Sequence, residues 1–155
     1  MSFNTAITFK EKSVICIVLF ASLIIRLLFF TGPLGSDEVT YTASAARILA
    51  GDWSVSSYNG ATRYGVNLPV AGFMWLFGAN EHSANAWALV TSLIEIIIVM
   101  HLGMAIWDKR AGLFASLLLA FLPLHVHYAG RAMADPPLAL FISLGFYLFY
   151  WAERT

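Results

Sequence analysis

The residue order predicts an all-α polytopic membrane protein, and three observations carry that prediction. Apolar residues make up 59% of the 155-residue chain and charged residues only 12%, about half the roughly 25% usual in soluble domains. Four apolar segments approach the roughly 20 residues that cross a bilayer, at about 13–31, 84–107, 111–128 and 135–152. The only long interval between them, about residues 32–82, is patterned for amphipathic helices at the membrane surface. Nine basic and nine acidic residues cancel without a run of either sign, so a nucleic-acid partner is excluded. Cys16 is the only cysteine and has no internal disulfide partner.

The first span follows Lys10 and Lys12 in the manner of a signal peptide. Its apolar run from Val14 to Phe30 exceeds the roughly 7–15 residues of a signal core, and Thr31-Gly32-Pro33 offers no small-x-small cleavage site. It therefore reads as a retained membrane helix. The stretch Leu68–Gly78 is about half a bilayer long and fits an interfacial or re-entrant helix. Pro123 is expected to end the third span near its outer end and leave irregular interfacial structure around His125. Four spans put both termini on one side. Lys10, Lys12, Lys109, Arg110 and Arg154 fall there, against Arg47, Arg63 and Arg131 opposite, so the positive-inside rule puts both ends in the cytoplasm. Trp53, Trp75, Trp87, Trp107 and Trp151 lie mostly at expected boundaries, as anchors do.

The outer segments hold most of the polar chemistry. Ser36-Asp37-Glu38 precedes Tyr41, Ala45, Ile48 and Leu49, the spacing of an amphipathic helix with Ser36 as its N-cap. At 100° per residue Asp37 falls within about 40° of Tyr41 and about 20° of Ile48, on the apolar stripe, with Glu38 at its edge. A plain capping role for both acids is the bland alternative, but a carboxylate facing protein at a membrane boundary is costly unless paired or used. The second cluster is Arg131-Ala132-Met133-Ala134-Asp135-Pro136-Pro137. Asp before Pro is a sound helix start, yet Asp135 and Arg131 face the same compartment as Asp37. His82, His125 and His127 lack a ligand spacing and give only a weak metal signal, and His101 reads as structural. Arg26 and Glu95 are ionisable groups in hydrocarbon, at depths of about 7 and 17 Å counted at about 1.5 Å per residue. Either they pair, or Arg26 reaches outward to lipid phosphate.

A membrane helix, the Ser-Asp-Glu opening, Tyr41 and then Ala46-Arg47-Ile48-Leu49-Ala50-Gly51-Asp52-Trp53 together resemble the membrane glycosyltransferases of the GT-C fold, closest to the ArnT-like and protein O-mannosyltransferase-like group. The likeness continues through Arg63-Tyr64, Leu76-Phe77-Gly78, Asp108-Lys109-Arg110-Ala111-Gly112, Pro123 and the Arg131–Pro137 segment. The resemblance implies transfer of a sugar from a polyprenyl- or dolichyl-phosphate carrier, within membrane lipid, to a lipid, glycan or protein acceptor on the outer face, in a bacterial inner or other plasma membrane. It implies a catalytic set of Asp37, Glu38 and Asp135, with Asp37 activating the acceptor, and substrate contacts at Tyr41, Arg63, Tyr64 and Arg131. Where ArnT-like proteins carry a lysine after the Arg-Tyr pair, this chain reads Gly65-Val66-Asn67-Leu68 before Pro69, so an aminoarabinose donor is not implied. No cofactor is assigned, and a divalent metal is left open. Such enzymes have ten or more spans, so residues 1–155 are expected to form a single membrane domain matching their N-terminal part. Two rival functions remain: a small transporter or channel subunit working through Arg26 and Glu95, and a non-catalytic membrane adaptor.

Overall fold

A computed structural model describes residues 9–54 and 59–154, with side chains from Lys12 onward. Among these residues all regular structure is helical. Helix α1 spans Phe9–Leu28, α2 Asp37–Leu49, α3 Tyr64–Phe77, α4 Glu81–Ile106, α5 Lys109–Phe121, α6 Pro123–Ala129 and α7 Asp135–Ala152, with a 3₁₀ turn at Asn59–Thr62.

The long helix α4 starts where Asn80 and Ser83 form a reciprocal capping box. Its 26 residues extend about 39 Å at 1.5 Å per residue, more than the roughly 30 Å hydrocarbon core. Among the described residues α4 is the one helix that is by itself long and apolar enough to cross a membrane. Helices α5 and α6 pass the same test jointly, bent by 60° at their junction. Pro123 causes the bend: it has no N–H to continue the α5 ladder, and it starts α6 in a first-turn position where none is needed, so the segment around His125 is helical and not irregular as expected. Asp108 caps α5 by accepting a hydrogen bond from the Ala111 N–H at 2.8 Å. At 14 residues, α3 reaches only about 21 Å and stays short of a span, as its apolar length predicts.

Helix α4 is the hub, packing against α5, α7 and α3, while α2 lies on α3. Gly103 and Gly112 let α4 and α5 touch backbone to backbone. A Cβ on Gly103 would come within 2.8 Å of the Gly112 Cα. The end of the molecule that holds α2 and α3 is built on Tyr41 and Ala45 of α2, Val66, Val70, Ala71 and Met74 of α3, and Ala84 of α4. This cluster fixes α2 and α3 to the end of α4, where the acidic groups converge.

Two features of this region depart from the sequence reading. The Ser36 side chain makes no capping hydrogen bond. Glu38 Oε1 instead reaches back ahead of the helix and accepts from the Leu34 N–H at 2.5 Å. The Trp87 side chain has a contact that the sequence reading did not give it, because its indole N–H donates to the Gly65 carbonyl at 3.1 Å and ties α4 to α3. The other four tryptophans are all more than 45% exposed, as anchors would be.

Candidate functional site

The Ala46–Trp53 segment serves as the exit clamp of α2. Gly51 turns the chain at φ +78°, a conformation that costs glycine little. The Arg47 guanidinium reaches over this turn to Asp52 Oδ2 at 2.9 Å and to the Ser54 carbonyl at 3.0 Å. Tyr64 lies in the same shallow depression, alongside Arg47, Trp53 and Ser54.

Tyr41 is the centre of the expected cluster. It is completely buried, and its hydroxyl accepts a hydrogen bond from Arg63 Nη1. The Arg63 guanidinium carbon lies 5.7 Å from the Tyr41 ring centroid, within cation–π range. Burial raises the Tyr41 phenol above its ordinary value, Arg63 opposes that rise, and the carboxylates of Asp37 and Asp135 add to it. Both acids thus lie near enough to Tyr41 to act on it electrostatically, although 98 residues separate them in sequence. Asp37 is half-buried, while Asp135 and Arg63 are exposed. A buried phenol bonded to a guanidinium and within electrostatic reach of two carboxylates supplies groups that can hold a phosphate and accept a proton.

Glu38 has a different environment. The sequence placed Asp37 on the buried stripe and Glu38 at its edge, but Glu38 is fully buried and Asp37 only partly so. The reason is tertiary: Arg131 Nη2, from the α6–α7 link, donates to Glu38 Oε1 at 2.7 Å. Burial pushes the Glu38 carboxyl upward. The Arg131 guanidinium and the backbone groups of Glu38, Leu34 and Ser36 outweigh that and hold its pKa at about 2. A carboxylate with so low a pKa is a poor proton acceptor near neutral pH and a strong anchor for a cation. Arg131 is itself only 9% exposed, and its Nη1 lies 3.4 Å from His127 Nε2.

The ionisable groups within the bundle are joined by a residue that the sequence reading gave no such role. Arg26 Nη2 lies 2.7 Å from His125 Nδ1, and His125 Nε2 lies 2.9 Å from Glu95 Oε2. Arginine has only donors, so His125 Nδ1 must present its lone pair and the ring proton sits on Nε2, directed at Glu95. Arg26 also bonds the Ser92 hydroxyl at 3.0 Å and the Ala120 carbonyl at 3.1 Å. The sequence signal was a histidine two residues past a helix-breaking proline, able to turn inward at the kink. Of the remaining histidines, His101 bonds its own helix at the Ile97 carbonyl, 2.8 Å away, and His82 packs on Phe30. No three His, Cys, Asp or Glu side chains group as metal ligands among the described residues.

One family profile, described as dolichyl-phosphate-mannose-protein mannosyltransferase, matches residues 40–155. The matched range contains Tyr41, Arg63, Tyr64, Arg131 and Asp135 and begins just after Asp37 and Glu38. No solved structure matches the chain.

Proposed function

Because the chain belongs to the dolichyl-phosphate-mannose-protein mannosyltransferase family, a family of integral membrane glycosyltransferases, we propose that it moves a sugar from a polyprenyl- or dolichyl-phosphate carrier to an acceptor hydroxyl or amine on the extracytoplasmic face. The observation that carries this reading is the buried Tyr41, bonded to Arg63 and within electrostatic reach of Asp37 and Asp135. In the reaction the acceptor oxygen or nitrogen attacks the anomeric carbon as the bond from that carbon to the phosphate oxygen breaks. The electron pair leaves with the lipid phosphate, and the acceptor proton passes to a carboxylate. Asp37, half-buried and outside the Glu38–Arg131 pair, suits the base role. Asp135, the second acid within electrostatic reach of Tyr41, is assigned to orienting the acceptor.

The leaving phosphate needs a cation. Arg131 is committed to Glu38, which leaves the exposed Arg63 as the better partner. Glu38 and Arg131 act by holding the α6–α7 link against α2. In this reading α1, α4, the bent pair α5–α6 and α7 are four spans of a single membrane domain corresponding to the N-terminal part of a larger transferase, with both ends in the cytoplasm. The exposed large apolar side chains of α1, α5 and α7, Phe20, Phe114 and Phe146 among them, support lipid contact on all sides.

Transfer from a labelled polyprenyl-phosphate sugar, in membranes expressing the complete open reading frame, tests the assignment. Asp37→Asn is expected to lower transfer by about 10²–10⁴-fold, the usual worth of a general base, with insertion unchanged. Undiminished transfer would remove Asp37 from the mechanism. If instead transfer survives Asp37→Asn while a solute flux fails in Glu95→Gln, the transporter reading gains.

A further inference from the structure

Helix α3 carries one amide or charged side chain, Asn67, and it is completely buried. Its Nδ2 donates to the Gly60 and Ala61 carbonyls, each at 3.1 Å. Both carbonyls belong to the 3₁₀ turn at Asn59–Thr62 that leads into α3. A buried amide is costly unless its groups are bonded, and an apolar side chain in the same helix as the core residues Val66 and Val70 would pack without that cost. The two N–H groups therefore give Asn67 a task that packing does not. They fasten the 3₁₀ turn to the first turn of α3 across the residue between them, Arg63, which is the N-cap of α3.

Arg63 stands at a joint between two helical segments. Its N–H donates to the Gly60 carbonyl at 3.2 Å, and its own carbonyl accepts from the Val66 and Asn67 N–H groups at 2.9 and 3.0 Å. Its side chain makes no capping bond and is exposed. The direction in which this long, rotamer-rich chain leaves the backbone decides whether it meets the Tyr41 hydroxyl. The Gly60 carbonyl is shared between the Arg63 N–H and the Asn67 amide, so the amide ties the turn to α3 on both sides of the joint and fixes that direction. We propose that Asn67 is the positioning residue that holds the Arg63 guanidinium against Tyr41 and, through it, sets the cation of the transfer site. The second half of this inference rests on the reading of Arg63 as partner of the leaving phosphate, and the first half does not.

The order of the Arg63 side chain is read on the purified full chain in lipid nanodiscs by NMR of isotope-labelled arginine, with its signals identified by their loss in Arg63→Lys. Separate, slowly exchanging guanidinium N–H signals are expected for Arg63 in the unmutated chain. Asn67→Leu, close to the amide in volume, should collapse them to one averaged signal. The signals of Arg26, held elsewhere in the bundle by Ser92 and the Ala120 carbonyl, should stay in place. Asn67→Ala, which removes the amide without adding volume, is read in the same way. In membranes, Asn67→Leu should lower kcat/KM for a polyprenyl-phosphate sugar by up to about 10²-fold, the worth of about 1 Å of misplacement, and should lower it no further in an Arg63→Met background. Arg63 signals unchanged in both variants, Arg26 signals lost in both, or full additivity with Arg63→Met would each overturn the proposal. Absence of transfer by the unmutated chain would instead overturn the proposed reaction, and the Arg63 signals alone would then decide the positioning role.

Discussion

Glu38 and Arg131 form an ion pair that is buried on both sides. Removing one partner of such a pair strands a charge and costs about 3–5 kcal/mol, whereas removing both often costs little. Arg131→Met and Glu38→Gln are therefore each expected to lower thermal stability sharply, and the double variant less than the sum of the two. The carboxyl falls from an ordinary value of 4.5 to about 2 in the folded chain. A depressed acid stabilises the fold above its unfolded value and loses that contribution as pH falls through its folded value. The melting-temperature gap between the unmutated chain and Glu38→Gln should thus be full at pH 7, begin to close near pH 4.5 and vanish toward pH 2. A gap independent of pH would mean that packing, and not charge, makes the residue matter. Helical-wheel counting identified an acid facing inward in the first turn of α2 and chose Asp37. What selects Glu38 is an arginine 93 residues away, and no local periodicity contains that information.

At the scale of elements, most boundaries were legible because local rules set them. The kink at Pro123 and the sub-span length of α3 follow from residues within a few positions of the feature, and so does the start of α7, although Asp135 is its first helical residue and not its cap. Helix-to-helix distance does not, and the α4–α5 crossing is the clearest case. Gly112 lies in a motif read from resemblance, yet its structural use is contact: an added Cβ would strike the Met100 carbonyl and the Met104 backbone. Gly112→Val should destabilise the bundle by about 1–3 kcal/mol or more, the usual cost of overpacking. Gly145 provides the control, since nothing lies within 4 Å of its added Cβ in the middle of α7. Gly145→Ala should be neutral or stabilising by about 0.5–1 kcal/mol, because alanine loses less backbone entropy in a helix. Thermal unfolding in detergent compares the two, and equal effects would refute the close-contact account.

For the whole molecule the deciding feature is the buried line Arg26–His125–Glu95, which joins α1, α6 and α4 and extends toward α7, where the Ser143 hydroxyl lies 3.5 Å from Glu95 Oε1. Depth counting left Arg26 and Glu95 about 10 Å apart along the membrane normal, too far for an easy direct pair. The imidazole fills that gap, and it can do so only as a neutral ring with its Nδ1 lone pair toward Arg26. The line therefore behaves as a single ion pair transmitted through a histidine, and its members should be energetically coupled even where they do not touch. Arg26→Met leaves Glu95 without its balancing charge, and Glu95→Gln leaves Arg26 buried to 1% exposure without an anion. Each single change should cost about 3–5 kcal/mol, and the double change should cost well under the sum. His125→Phe cuts the connection, so in that background the coupling between Arg26 and Glu95 should fall toward zero. Additive costs in the unmutated background would show that the two charges are stabilised separately, and that the four helices are held together by packing alone.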